Sequence, residues 1–164
     1  MCDNGADVEN LKANGRTPLL YSAINGFHDI CMYLCLRVKD VDIEDEQTGQ
    51  TVFEIFLLNQ DIEHMNYVLS RGSNINHINF RTNLTPLHLA IEKRMRPSTI
   101  KFLLKNKANP HIEDKNGKDC CDKARELVKK QDLIYSRIRK LNDGRCEQDP
   151  SLRVKNKELL KTIA

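Results

Sequence analysis

The sequence predicts an all-α chain, a solenoid of helix-turn-helix repeats joined by extended hairpin loops. Three observations carry that expectation. A step recurs every 34 residues, at Gly15-Arg16-Thr17, Gly49-Gln50-Thr51, Asn83-Leu84-Thr85 and Gly117-Lys118-Asp119. Each step holds two short stretches with apolar residues at helical spacing. A small residue returns at Ala23, Ala90 and Ala124, where neighbouring units must approach closely. A fixed period of this size marks stacked supersecondary units rather than one closed globule.

In the first unit Thr17-Pro18 opens a helix running to Asn25, since proline suits a first turn whose amides have no helical partner. Gly26 stops it, and a second helix from Asp29 to Arg37 carries Ile30, Cys31, Leu34 and Cys35 on one face. The second unit repeats the pattern over Thr51–Asn59 and Ile62–Ser70, and the third over Thr85–Lys93 and Ser98–Lys105. Gly72 finds its counterpart at Lys107, 35 positions on, so the turn between the third pair of helices holds one extra residue. The fourth unit departs: Asp119-Cys120-Cys121 replaces the Thr-Pro-Leu opening, and Leu133, Ile134, Ile138 and Leu141 continue an amphipathic helix with a basic outer face, as a terminal cap requires. Units thus start near residues 14, 48, 82 and 116 and fill 14–141. Residues 1–13 read as the remnant of a preceding repeat, making the chain a fragment of a longer array, and 142–164 as a charged tail with a possible short helix at Ser151.

The longest unbroken apolar run, Ile55-Phe56-Leu57-Leu58, is far below a membrane span, and charges occupy the first twenty residues where a signal peptide needs an apolar segment. The six cysteines include no C-x-x-C pair, and Cys31 and Cys35 lie on an apolar helix face. Reduced thiols in an intracellular, cytoplasmic setting are expected. Charge is uneven: residues 1–63 hold twelve Asp or Glu against four Lys or Arg, a net of −8, whereas 64–164 hold 22 basic against 11 acidic residues, a net of +11. An extended array with this pattern is an electrostatic dipole.

TPLHLA at 85–90, TPLL at 17–20, the 34-residue step and the loops Gly5-Ala6-Asp7-Val8, Gly72-Ser73-Asn74-Ile75-Asn76 and Ala108-Asn109 together resemble ankyrin repeats. The resemblance spans about residues 5–141; the third unit matches closely, and the second has Val52-Phe53-Glu54 where the family has Pro-Leu-His. Each matched position has a physical reason. Gly15, Gly49, Asn83 and Gly117 stand where a tight turn needs positive φ, and the threonines cap helices. The resemblance also implies that His88 hydrogen-bonds the next loop.

No phosphate-cradling loop, nucleophile elbow or paired catalytic carboxylates appear, so no enzymatic activity, cofactor or small-molecule substrate is expected. His28, Cys31 and Cys35 could converge on a metal, but free cysteine behaves as a small buried hydrophobe, and no metal site is expected there. The cluster Asp40, Asp42, Glu44, Asp45 and Glu46 lacks calcium-loop spacing and reads as a solvated loop. The basic stretch from Lys93 through Lys107 lacks the aromatics of a single-strand platform and matches no nucleic-acid motif, which argues against nucleic acid.

The expected function is a protein-interaction module, a scaffold or adaptor. The resemblance implies partner contacts at hairpin tips and on the solvent side of each first helix. These positions are Asn14, Arg16, Ile24 and Asn25; Gln47, Gln50, Leu58 and Asn59; Arg81, Leu84, Glu92 and Lys93; and Lys115 and Lys118. Leu58 and Leu84 are the expected anchors, as exposed leucines ringed by polar side chains. Two other readings are weaker: the basic half docks an anionic ligand or membrane surface, or the repeats regulate a catalytic domain elsewhere in a longer protein. The chain is expected to be monomeric, with salt-sensitive head-to-tail association at most.

Overall fold

The structure is a computed structural model that describes Val8 and residues 15–141, the side chains of 131–141 excepted. Within that span lie seven helices: α1 (Pro18–Ile24), α2 (His28–Cys35), α3 (Val52–Leu58), α4 (Ile62–Ser70), α5 (Pro86–Glu92), α6 (Pro97–Lys105) and α7 (Cys120–Leu141). The proposed remnant at 1–13, apart from Val8, and the tail at 142–164 lie outside the described residues. No described helix is long and apolar enough to cross a membrane.

Each first helix begins in the same way. Thr17, Thr51 and Thr85 stand as N-caps with extended backbone, and their hydroxyls accept the amide of the third helical residue. Pro18 and Pro86 follow at the first helical position. Gly15, Gly49, Asn83 and Gly117 all have positive φ just before those starts. At Gly49 the demand is double: an added Cβ would overlap the Asn79 amide oxygen of the next hairpin. Lys107 takes positive φ where Gly72 does, and α5 and α6 are separated by one more residue than α3 and α4, so the insertion is absorbed in that turn.

Helices pair as α1–α2, α3–α4 and α5–α6, and the first helices pack in succession, α1 on α3, α3 on α5 and α5 on α7, with α2 against α4. The shared core is aliphatic with two phenylalanines. Leu19, Leu20, Ala23, Phe53, Phe56, Leu57, Leu87, Ala90, Ile100 and Ala124 are all buried. Ser22, Phe56, Ala90 and Ala124 hold the same place in their four units and all four are buried; Ala23 lies one residue further along α1 and is buried as well. The fourth unit is not a helix pair: one 22-residue helix follows the hairpin.

Polar struts join neighbouring units. Asp42 accepts the Ser73 hydroxyl at 2.5 Å and the Asn74 amide at 2.7 Å. Asn76, the counterpart of Asp42 one unit on, accepts the Asn109 amide at 2.7 Å. Asp45 is buried and held by Arg16 at 2.7 Å, and Glu44 pairs with His77 at 3.1 Å. Asp42, Glu44 and Asp45 are therefore inter-unit fasteners, a correction to the solvated loop expected for this cluster. Sequence spacing could not show it, because the partners lie about thirty residues away.

Candidate functional site

Two surfaces are built by this arrangement, the hairpin tips and the solvent side of the first helices. The tips are rigid by construction. Asp45, Asn79 and Asp114 each fold their side chain back to accept the amide two residues on, at Gln47, Arg81 and Asn116, and each tip closes on a backbone bond to Gly49, Asn83 or Gly117. Asp45 lies below its usual carboxylate range: burial raises it, but the Arg16 guanidinium and the backbone amides more than offset this. Tips are also tied to one another, since Arg81 donates to the Glu46 carbonyl and Asn79 donates to the Thr48 carbonyl at 3.3 Å.

The predicted contact residues divide into three sets. Gln47, Arg81 and Lys115 at the tips, and Ile24, Asn25, Leu58, Asn59, Glu92 and Lys93 at the ends of the first helices, are exposed. Gln50, Leu84 and Lys118 are half-buried, so Leu84 presents less surface than an anchor by exposure would. Arg16 is also half-buried, and its guanidinium is committed to Asp45. Asn14 lies outside the described residues. Glu92 and Lys118 carry ion pairs, with Lys123 and Glu126 respectively, so their charge is partly balanced within the fold.

Sequence reasoning missed three exposed apolar side chains on the same surfaces. Tyr21 is 45% exposed, and three residues on in α1 Ile24 is 39% exposed; Leu58, the counterpart of Ile24 in the neighbouring α3, is 36% exposed, so the two packed first helices both present apolar side chains. Ile78 and Phe80 project from the third hairpin, with the Arg81 guanidinium 5.1 Å from the Phe80 ring centre. The signal was available: Phe80 precedes the tip residue Arg81, where the charged Glu46 stands one unit earlier.

Where chemistry was weighed, the structure assigns scaffold work. His88 accepts the Thr85 hydroxyl at 2.8 Å through Nδ1 and donates from Nε2 to the Lys118 carbonyl at 3.4 Å. Burial holds its pKa below the ordinary histidine value, helped by the nearby Lys123 charge. Cys31 and Cys35 are buried free thiols in the core, and burial pushes Cys120 up to about 12, which leaves it unreactive.

Residues 1–79 match the family model described as ankyrin repeats (3 copies), and residues 82–115 match the single ankyrin repeat. No curated protein sequence matches the chain. Ankyrin repeats mediate protein–protein interaction and are typically non-enzymatic. With capped helix pairs stacked in 34-residue register and both family matches falling on them, the chain belongs to the ankyrin repeat family.

Proposed function

We propose that this chain is a non-enzymatic interaction module that binds a protein partner across the hairpin tips and the solvent side of the first helices. The observation that carries the reading is the exposed apolar trio of Tyr21, Ile24 and Leu58 on α1 and α3, edged by the amides of Asn25 and Asn59. Apolar anchors set among polar groups that exclude water at the rim are how protein interfaces concentrate their affinity. Leu84, Gln47, Gln50 and Arg81 supply the adjoining tip contacts, and Glu92, Lys93, Lys115 and Lys118 extend the surface toward α7. Four free thiols among the described residues support an intracellular place of action.

The test compares proteins captured by the wild-type chain with those captured by a Tyr21→Glu/Leu58→Glu variant, with Phe27→Ser, an exposed apolar residue at the start of α2, as a control. Loss of the captured proteins with the double variant alone, at unchanged melting temperature, is the expected outcome. Undiminished capture by the double variant would rule this surface out.

A second reading rests on a separate observation. Lys93, Arg94, Arg96, Lys101, Lys105 and Lys107 are all exposed along α6 and its flanking turns, a basic face suited to an acidic partner or anionic headgroups. A site of that kind loses affinity steeply as ionic strength rises, whereas the apolar trio does not.

A further inference from the structure

The turn that joins first to second helices, at the opposite end of α1 and α3 from the hairpins, gathers His28, Asp61 and His64. His28 is the first residue of α2; Asp61 is the N-cap of α4, and His64 lies in its first turn. Because α2 packs on α4, residues 33 to 36 apart in sequence meet across the first two units. The His28 and His64 ring centres are 4.3 Å apart, and the buried Phe56 ring backs both, edge-on to His28 at 5.6 Å and stacked on His64 at 5.1 Å. Asp61 accepts the His64 amide at 3.1 Å and the ring Nδ1–H at 2.7 Å.

We propose that His28, His64 and Asp61 form a zinc(II) site that clamps the first repeat to the second. One nitrogen from each histidine and one Asp61 oxygen already lie within 4.8 Å of one another. Tetrahedral coordination at ordinary zinc–nitrogen and zinc–oxygen lengths places ligand atoms about 3.3 Å apart, a distance reached by small rotations of half-buried side chains. Two imidazoles and a carboxylate are a zinc donor set, and the opening to solvent leaves a fourth position for water.

Electrostatics decides between a cation site and a simple stack of rings. The amino ends of α2 and α4 each bring about half a positive charge to this spot. Against them stand Asp29, Asp61 and Glu63 on the same two first turns, and the cavity beside the histidines, lined by Gly26, Phe27, Asp29, Ile30, Met32 and Glu63, includes no lysine or arginine. The carboxylates outweigh the helix ends. The trio that sequence spacing offered, His28 with Cys31 and Cys35, does not form: both thiols are buried in the core, while His28 meets α4.

The experiment is calorimetric titration of the metal-free chain with Zn2+ alone, under reducing conditions, beside a His28→Gln/His64→Gln variant and a variant with all six cysteines changed to serine. One equivalent is expected to bind the wild type and the cysteine-free chain equally. The double histidine variant, with its far-ultraviolet circular dichroism unchanged, is expected to bind about tenfold or more weakly. Zn2+ should also raise the melting temperature of the wild type and not that of the histidine variant. Co2+ substitution adds a structural readout, intense tetrahedral visible bands that vanish in the histidine variant. Absence of binding to the wild type, binding that survives the histidine changes, or binding lost with the cysteines would each overturn the proposal.

Discussion

Glu54 occupies the place in its unit that His88 holds in the next and Leu20 in the one before, and the contrast shows what that position does. His88 reaches the following hairpin by donating to the Lys118 carbonyl; Glu54 reaches it by accepting from Asn79 Nδ2 at 3.0 Å. An imidazole does this uncharged, whereas a buried carboxylate resists ionising. Burial, only partly opposed by the Asn79 bond and reinforced by Glu44, pushes Glu54 up to about 7 from an ordinary 4.5. The folded chain therefore holds a proton that the unfolded chain has released between those two values. Stability from this group is fully present below pH 4.5 and falls as pH rises through 7. The loss is on the order of 3 kcal/mol from a shift of this size. Glu54→Gln keeps an acceptor for Asn79 and removes the charge, so it should stabilise the chain above pH 7 and flatten its pH profile there. Urea denaturation at pH 5 and pH 8 checks this; an equal pH response in wild type and variant would refute it.

At the scale of elements, α7 shows how an array closes when its last unit lacks the usual opening. Cys120 and Ala124 enter the core beside α5, but Lys123 follows them inside, 8% exposed, and must be neutralised. Asp114 of the fourth hairpin does so at 3.1 Å, and Glu92 at the end of α5 adds a second carboxylate. Asp114 in turn sits far below the usual carboxylate range: burial would raise it, but the Asn116 and Lys118 amides and the Lys123 ammonium together outweigh that cost. Its contribution is present above the unfolded carboxylate pKa near 4 and is lost as pH falls. Lys123→Met leaves Asp114 buried without its cation, which should cost about 3 kcal/mol, whereas adding Asp114→Asn should recover part of it. Thermal unfolding of the single and double variants measures the difference, and additive losses would show that the pair is not coupled.

Across the whole molecule, charge and apolar surface are distributed unequally. The acidic first 63 residues, at −8, and the basic remainder, at +11, make the sequence an electrostatic dipole, from which end-to-end attraction between copies at low salt is the prediction. Sedimentation at about 20 mM salt should show concentration-dependent association that disappears near 0.5 M, where screening reaches only a few ångströms. A concentration-independent monomer in both would dispose of the electrostatic contact. Association that persists at high salt would instead point to α2, where Phe27, Ile30, Tyr33 and Leu36 are all exposed at spacings of three residues.

The repeat architecture was legible in the sequence because the residues that build it act locally. A threonine caps the helix it precedes and a glycine turns the hairpin it occupies, so a 34-residue period in these residues already specifies the stack. Much of the candidate site was legible as well, since the family resemblance carries contact positions onto Leu58, Asn59, Arg81 and Lys93, all of them exposed. The rest depended on which residues meet. Only the tertiary structure turned Asp42 and Asp45 from a solvated acidic run into fasteners, exposed Tyr21 and Phe80, half-buried Leu84, and set His28 against His64 instead of Cys31. Those outcomes belong to pairs about thirty residues apart, and burial and pairing between units are properties of the stack that no single repeat carries.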